Sequence, residues 1–424
     1  MKKILNIISV FFLKGFGAAS ILLISFYIAH SFSVSISGQF FWYFSLMIII
    51  SQLLSFGAND FILKKSSISE GDVETAIVAG NITSVLFIAF LVLILLVYPF
   101  YWLSNDTFYL ALCLFFLGSA GLAISNLCSY VFQGHLHHKK AVYFLNIGPY
   151  FFGGGLIFFL DVKGFFSLSV VFIMGVIINT VVAILICFYY RYLLISFAGF
   201  EKFLKEFFVN IKWYWVICVS SVFINWGGVY FSGFILDDRE LAILNISMRI
   251  SMVLNFLLIA VNVLVAPQIA FLFEKGEIEK LQNTVSNALS FIYLVSIPCF
   301  IFLTFFSSEL LLFINDSFGS GAYVLVILCV GQLFNVLTGP SGYLLSMTGR
   351  EATMGKVYFI NAIVFVIILF SLGAVYGIYG VALGMALSML LFNFTVALVV
   401  KFSLGIYLLP RAFSFIYAKG KCCV

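Results

Sequence analysis

The feature that most constrains this chain is a succession of long apolar segments, each separated from the next by charges, a proline or turn residues. They run at roughly 9–31, 40–62, 76–99, 107–133, 142–161, 167–190, 211–235, 241–270, 284–306, 321–346, 357–376 and 378–400. A run of roughly 20 apolar residues crosses the hydrocarbon core as an α-helix, which satisfies its own backbone hydrogen bonds where no water can. About twelve such helices occupy most of the 424 residues, leaving short connections and no water-soluble domain. Only 9% of the residues are Asp, Glu, Lys or Arg, against about 25% in soluble domains. The expected fold is therefore all-α and integral to a membrane. The opening Met-Lys-Lys and the apolar run after it resemble a signal peptide. That run reaches Phe32, contains Lys14 and lacks a small-residue cleavage pattern, so it reads as an uncleaved first helix.

The basic residues orient these spans. With the N-terminus inside, eighteen of the twenty-two lie on the inner side: Lys2 and Lys3, Lys64 and Lys65, Lys139 and Lys140, the Arg191–Lys212 segment, Lys275 and Lys280, Arg350 and Lys356, and Lys401 onward. Only Lys163 and Arg239 fall outside. Under the positive-inside rule both termini are cytoplasmic, and the net charge of +5 expresses topology rather than a nucleic-acid surface.

Gly134 and Val142-Tyr143-Phe144-Leu145-Asn146 recur as Gly349 and Val357-Tyr358-Phe359-Ile360-Asn361, at one offset of 215 residues. That offset maps the fourth span on the tenth and the fifth on the eleventh. Two six-helix lobes follow, 1–190 and 211–402, related by a pseudo-twofold along the membrane normal, with a substrate path between them. The amphipathic segment 191–210 is the cytoplasmic linker and 403–424 a cytoplasmic tail.

Polar residues recur at helical spacing within the spans. Glycines and serines there serve close helix packing. Amides are costlier in hydrocarbon and can meet sugar hydroxyls as donors and acceptors; Gln52, Asn59, Asn225, Asn245, Gln332 and Asn335 are the candidates, with Asp60 at the inner end of the second span. Asp60 also has Lys64 at i+4, which suits an interfacial pair. Two cations stand inside apolar segments, Lys14 and Arg249. A buried cation costs about 2.5–3.5 kcal/mol on insertion scales and usually faces a cavity. Lys14 can also snorkel to the inner surface. Arg249 has no acidic residue three or four positions away.

The other chemistry is sparse. Six cysteines fall inside spans without ligand spacing, and Cys422-Cys423-Val424 lacks a prenylation frame. His135, His137 and His138 share a short inner loop with two lysines, which suits a solvated loop better than a metal site. There is no P-loop, no His-Glu-x-x-His and no Gly-x-Ser-x-Gly. A transporter is expected rather than an enzyme, with no cofactor and with any coupling ion unspecified.

Several motifs in order resemble the Wzx-type O-antigen flippases. They are Lys14-Gly15, Ser55-Phe56-Gly57-Ala58-Asn59-Asp60, Gln133-Gly134, Met248-Arg249-Ile250, Ala266-Pro267-Gln268, Leu337-Thr338-Gly339 and Tyr376-Gly377-Ile378-Tyr379-Gly380. That family is in the polysaccharide-exporter branch of the multidrug/oligosaccharidyl-lipid/polysaccharide superfamily. The resemblance implies a bacterial inner-membrane translocase for undecaprenyl-diphosphate-linked repeat units of O-antigen or polysaccharide, working by alternating access. Its partners would be the bilayer, the lipid-linked oligosaccharide, and the glycan polymerase and chain-length regulator. Lys14 and Arg249 would meet the diphosphate, since Arg can contact phosphate with two parallel bonds. Three alternatives stay open: a cation-coupled multidrug exporter of the same superfamily, a lipid II flippase, and a membrane glycan polymerase or ligase. The first should bury an acid in mid-span, the second typically has more spans, and the third should carry a long outer loop.

Overall fold

A computed structural model of the chain describes residues 2–55, 57, 59, 106–134, 137–160, 162–190 and 212–410. These residues are helical almost throughout, with no strand among them. In chain order the helices are α1 (Lys2–Ser31), α2 (Val34–Leu54), α3 (Asp106–Gly134), α4 (His138–Val142), α5 (Gly148–Phe159), α6 (Gly164–Tyr189) and α7 (Lys212–Ser232). They continue as α8 (Asp238–Ser251), α9 (Val253–Glu274), α10 (Ile278–Phe305), α11 (Ser307–Ile314), α12 (Ala322–Leu337), α13 (Ser341–Met347) and α14 (Glu351–Leu404). A π-helical turn, Tyr143–Ile147, joins α4 to α5, and a 3-10 turn, Asp316–Gly321, precedes α12. Among the described residues seven helices are long and apolar enough to cross a membrane. The protein is thus an all-α, multi-pass membrane protein. The expected third span, the linker at 191–210 and most of the tail lie outside the described residues.

Three expected spans are not single helices. The fifth, at 142–161, contains the π turn, and the reason is Pro149. Proline has no N–H to give, and the Gly148 N–H reaches back to the Tyr143 carbonyl, as a π turn requires. The Phe144 carbonyl, whose π-type donor would be Pro149, accepts instead from Ser125 Oγ at 3.3 Å. Asn179 Nδ2 in turn donates to Ser125 Oγ at 2.7 Å. The eighth span, expected at 241–270, is α8 and α9 divided at Met252, whose carbonyl accepts from the Asn255 N–H in a tighter i to i−3 turn. The tenth, expected at 321–346, is α12 and α13 divided at Gly339-Pro340. Gly339 has φ +62°, a conformation that a Cβ disfavours.

The last two expected spans, 357–376 and 378–400, are the arms of α14. They reverse at Gly377, whose φ of 56° and ψ of −135° lie outside any helical region. The arms close face to face, with the Tyr358 and Phe392 rings 4.6 Å apart. At Gly380 a side chain would overlap the Leu372 carbonyl. Short α11 and the 3-10 turn had no counterpart in the sequence reading.

Packing divides the chain into two compact units: Met1–Ile28 with Gln39–Tyr230, and Ala29–Gly38 with Phe231–Val424. Helix α7 packs within the first unit. Trp42 Nε1 donates to the Tyr230 carbonyl at 3.0 Å, and the two rings stack with centroids 5.5 Å apart. Elsewhere in this unit α5 and α6 form a close hairpin. A side chain at Gly175 would overlap the Gly153 backbone, so small residues set that approach.

In the second unit α12 is central, packing on α8, α9, α10 and α14. The α1–α2 connection belongs here too. His30 Nδ1 donates to the Ile314 carbonyl at 2.9 Å, and Ser35 Oγ donates to Asp238 Oδ2 at 2.9 Å. Asp238 opens α8 behind a capping box: Asp237 Oδ1 accepts from the Glu240 N–H at 2.7 Å, and Glu240 Oε2 accepts from the Asp237 N–H. Such a cap contributes about 1 kcal/mol.

Candidate functional site

Helix α8 is buried on every side from Leu241 to Ser251, which is unusual for a helix whose sequence includes two serines, an asparagine and an arginine. Arg249 keeps 4% of its surface exposed. Its Nε donates to Asn245 Oδ1, one turn earlier, at 3.4 Å. Asn245 is 1% exposed, and its Nδ2 has no partner among the described residues. Arg249 also stands in the last turn of α8, where a cation offsets the negative end of the helix dipole. The division at Met252 therefore places a helix C-terminus, a guanidinium and an amide N–H2 together inside the protein. The sequence pattern anticipated a cavity-facing arginine; here the side chain is enclosed.

One level further along, the second unit holds a run of neutral polar groups. Asn335 Nδ2 on α12 donates to Asn255 Oδ1 on α9 at 3.2 Å. Thr338 Oγ lies 2.9 Å from both the Asn335 carbonyl and Asn393 Oδ1, and its one proton serves either. Asn393 Nδ2 donates to the Met389 carbonyl at 2.8 Å. Tyr293 on α10 donates from its hydroxyl to the Leu337 carbonyl at 2.9 Å. Much of this run repairs the break at Gly339-Pro340. Pro340 cannot donate, the Gly339 N–H is drawn to the Val336 carbonyl, and side-chain hydroxyls take carbonyls at Asn335 and Leu337. Gln332, 5% exposed on α12, has an Oε1 without a partner among the described residues.

The remaining candidates separate. Gln52 is half-buried; its backbone carbonyl accepts from Ser55 Oγ at 2.7 Å and lies 3.7 Å from Cys218 Sγ on α7. Asn59 is 6% exposed, and its Oδ1 has no partner among the described residues. Asn225 is exposed on α7, where its Nδ2 donates to the Ser221 carbonyl at 2.8 Å. The Lys14 side chain and Asp60 lie outside the described residues. The structure thus joins Arg249 with Asn245 on α8, and Asn335 with Asn255 across α9 and α12. It leaves Asn225 bonded to its own helix. Asn393, Thr338 and Tyr293 were not singled out as site residues. An asparagine inside the apolar run from Val381 to Val400 was the available signal for Asn393.

Every acid among the described residues sits in a connection or within a few residues of a helix end. Among those same residues no group of three His, Cys, Asp or Glu side chains is arranged to hold a metal ion.

No family model matches the chain. One curated relative is a "Probable low-salt glycan biosynthesis flippase Agl15" from Haloferax volcanii, 26% identical over 189 residues. That match covers 43% of this chain and spans 39% of the length of the relative. Among solved structures, the lipid II flippase MurJ in an inward closed conformation superposes with a TM-score of 0.72 at 16% identity, covering 93% of this chain and 87% of that one. The Vibrio cholerae MATE transporter VcmN gives 0.68 at 12% identity, covering 94% and 96%. A MOP-superfamily transporter from Pyrococcus furiosus, described as having a binding pocket of reverse polarity, gives 0.66 at 13% identity, covering 93% and 94%. All four are flippases or transporters, none an enzyme, and this chain has the fold that the three solved structures share.

Proposed function

We propose that this chain flips a lipid-linked oligosaccharide with an anionic phosphate linkage across the membrane. The observation that carries the reading is the Arg249–Asn245 pair: a guanidinium 4% exposed, beside an amide whose N–H2 has no partner among the described residues. Enclosing a cation this way costs several kcal/mol unless an anion or the helix end compensates it. A phosphate arriving at that point would use both the fork of the guanidinium and the amide N–H2. The half-buried amides and hydroxyl of Asn255, Asn335 and Thr338 suit sugar hydroxyls, which ask for donors and acceptors without charge. A carrier of organic cations would need a carboxylate in mid-span, where the described residues have none.

In its finer form the substrate is an undecaprenyl-diphosphate-linked repeat unit of O-antigen or another polysaccharide. The membrane is then the bacterial inner membrane and the route is alternating access. The glycan polymerase and chain-length regulator act on the product. The basic asymmetry of the sequence supports cytoplasmic termini. Complementation tests the whole reading: the chain is expressed in a flippase-null strain making a matched glycan, and surface polysaccharide is measured. Restoration is expected. Arg249→Ala should abolish it at normal protein abundance, and Arg249→Lys should restore part, keeping charge without the fork. Full export by Arg249→Ala would refute the assignment of the anion to this residue.

A further inference from the structure

A second feature of the first unit is unused by that mechanism. A small cleft of about 50 Å³ lies among α2, α3 and α6, room for a short segment of an apolar chain rather than for a whole ligand. Its walls are mostly rings, Phe40, Tyr43, Phe44, Phe115, Phe165 and Phe172. These rings brace one another: Tyr43 on Phe165 at 4.7 Å, Phe44 on Phe172 at 5.3 Å and Phe40 on Phe172 at 5.6 Å. Rigid rings locked edge to face do not collapse into the space as flexible aliphatic chains would. Near the mouth Phe166 is 41% exposed, and α6 continues with exposed Met174, Ile178 and Val181. That stripe is the hydrocarbon-facing surface of the helix, so the cleft is continuous with the bilayer. The occupant enters sideways from lipid and is apolar.

Charge narrows the choice. Lys163, exposed at the N-cap of α6, stands two residues before Phe165. It is one of two basic residues that the charge asymmetry assigns to the outer side. An amphiphile with an apolar chain in the cleft would bring its headgroup to the level of Lys163, so an anionic phosphate is favoured there. A polyprenyl chain, with a methyl branch at every fourth backbone carbon, presents methyls and alkenes to ring faces. An unbranched acyl chain offers the same walls only methylenes.

We infer that this cleft holds one segment of the isoprenoid chain of the anionic carrier lipid, the part nearest the headgroup, with Lys163 at the headgroup phosphate. The inference rests on the proposed function and deepens it. On the outer side, the site would hold the carrier lipid after its glycan has crossed.

The test uses the full chain in phosphatidylcholine nanodiscs and a benzophenone-bearing farnesyl diphosphate as photoprobe, with adducts mapped by mass spectrometry. Adducts are expected within 40–47 and 163–173. Ser169→Trp, which fills the cleft, should cut them about tenfold, a loss equivalent to about 1.4 kcal/mol. Lys163→Gln should weaken labelling, and unlabelled polyprenyl monophosphate should compete where phosphatidylglycerol does not. If Ser169→Trp fails to fold, Phe166→Ala decides, since that ring is already 41% exposed and its removal should reduce labelling without unfolding. Adducts scattered along the lipid face, labelling indifferent to both variants, or equal competition by phosphatidylglycerol would overturn the inference. Labelling is read without export. An unlabelled cleft in a protein that exports normally therefore sinks this inference alone, and failed complementation with specific labelling sinks only the transport reading.

Discussion

The break between α12 and α13 offers a sharp energetic test, because one hydroxyl replaces one missing N–H. In an unbroken helix the Leu337 carbonyl would accept from the N–H of Ser341. Gly339 at φ +62° and Pro340 divert the chain, and the Tyr293 hydroxyl donates to that carbonyl at 2.9 Å instead. Tyr293→Phe keeps the ring, so no cavity opens and only the hydrogen bond is lost. Stranding a fully buried carbonyl costs about 1–3 kcal/mol. Interhelical hydrogen bonds within membrane proteins average about 0.6 kcal/mol and reach about 1.7. Tyr293 is half-buried rather than sealed, which favours the middle of the second range. The expected loss is therefore about 1 kcal/mol. Denaturant unfolding of the purified protein measures it, with Tyr323→Phe, at a residue 74% exposed, as the reference. A Tyr293→Phe variant no less stable than Tyr323→Phe would refute this account of how the break is satisfied.

Three further expectations follow from the same backbone accounting. Gly377→Ala forces a Cβ into φ +56°, ψ −135° and should cost about 1–3 kcal/mol; Gly380→Val should cost more, because its side chain strikes the Leu372 carbonyl across the hairpin, and both are read from unfolding midpoints. Asn179→Ala interrupts the relay through Ser125 to the Phe144 carbonyl and should cost about 1 kcal/mol; in a double-mutant cycle Ser125→Ala should add little to it. Asn335→Leu strands Asn255 Oδ1 and should cost about 0.6 kcal/mol, most of it recovered when Asn255→Leu is added, since an apolar pair leaves nothing unsatisfied.

The helices were legible because the bilayer imposes one period and one length on every span. Gly377 was legible as well, since the chain there has too few residues for any connection but a tight reversal. The breaks at Met252 and at Gly339-Pro340 were not. Hydropathy averages over about 20 residues, and a change confined to two or three backbone dihedrals leaves it unaltered. The π turn was hidden similarly, although Pro149 within an apolar run, with Ser125 and Asn179 elsewhere, held its components. The composition of α8 was informative in the opposite direction. Its polar residues could have signalled a wet face, yet every residue from Leu241 to Ser251 is buried. A polar residue in a span can thus be spent on mending backbone rather than on facing a cavity. Tyr293 spends its hydrogen bond on backbone, Thr338 on backbone or Asn393, and Asn179 on Ser125, work that an interrupted helix in a membrane cannot do without.

That distinction ranks the candidates for substrate contact, and it gives Asn245 a decisive substitution. Amides already committed, such as Asn335 to Asn255, have less to offer a ligand than those with an atom lacking a partner among the described residues, Asn245, Gln332 and Asn59. Of these Asn245 is the one seen to touch a cation among the described residues. Asn245→Asp keeps the Oδ1 that accepts from Arg249 Nε at 3.4 Å, replaces Nδ2 by oxygen and makes the side chain an anion. Opposite charges about 4 Å apart attract by about 4 kcal/mol at an effective dielectric near 20. A phosphate would have to displace that carboxylate. If Arg249 reads the anion of the substrate, Asn245→Asp should lower export severely while the amount of folded protein is maintained. If Arg249 serves only as the cation at the end of α8, the same variant should export normally. Surface glycan and membrane abundance, measured on one culture, separate the two: normal glycan at normal abundance would remove Arg249 from the transport path.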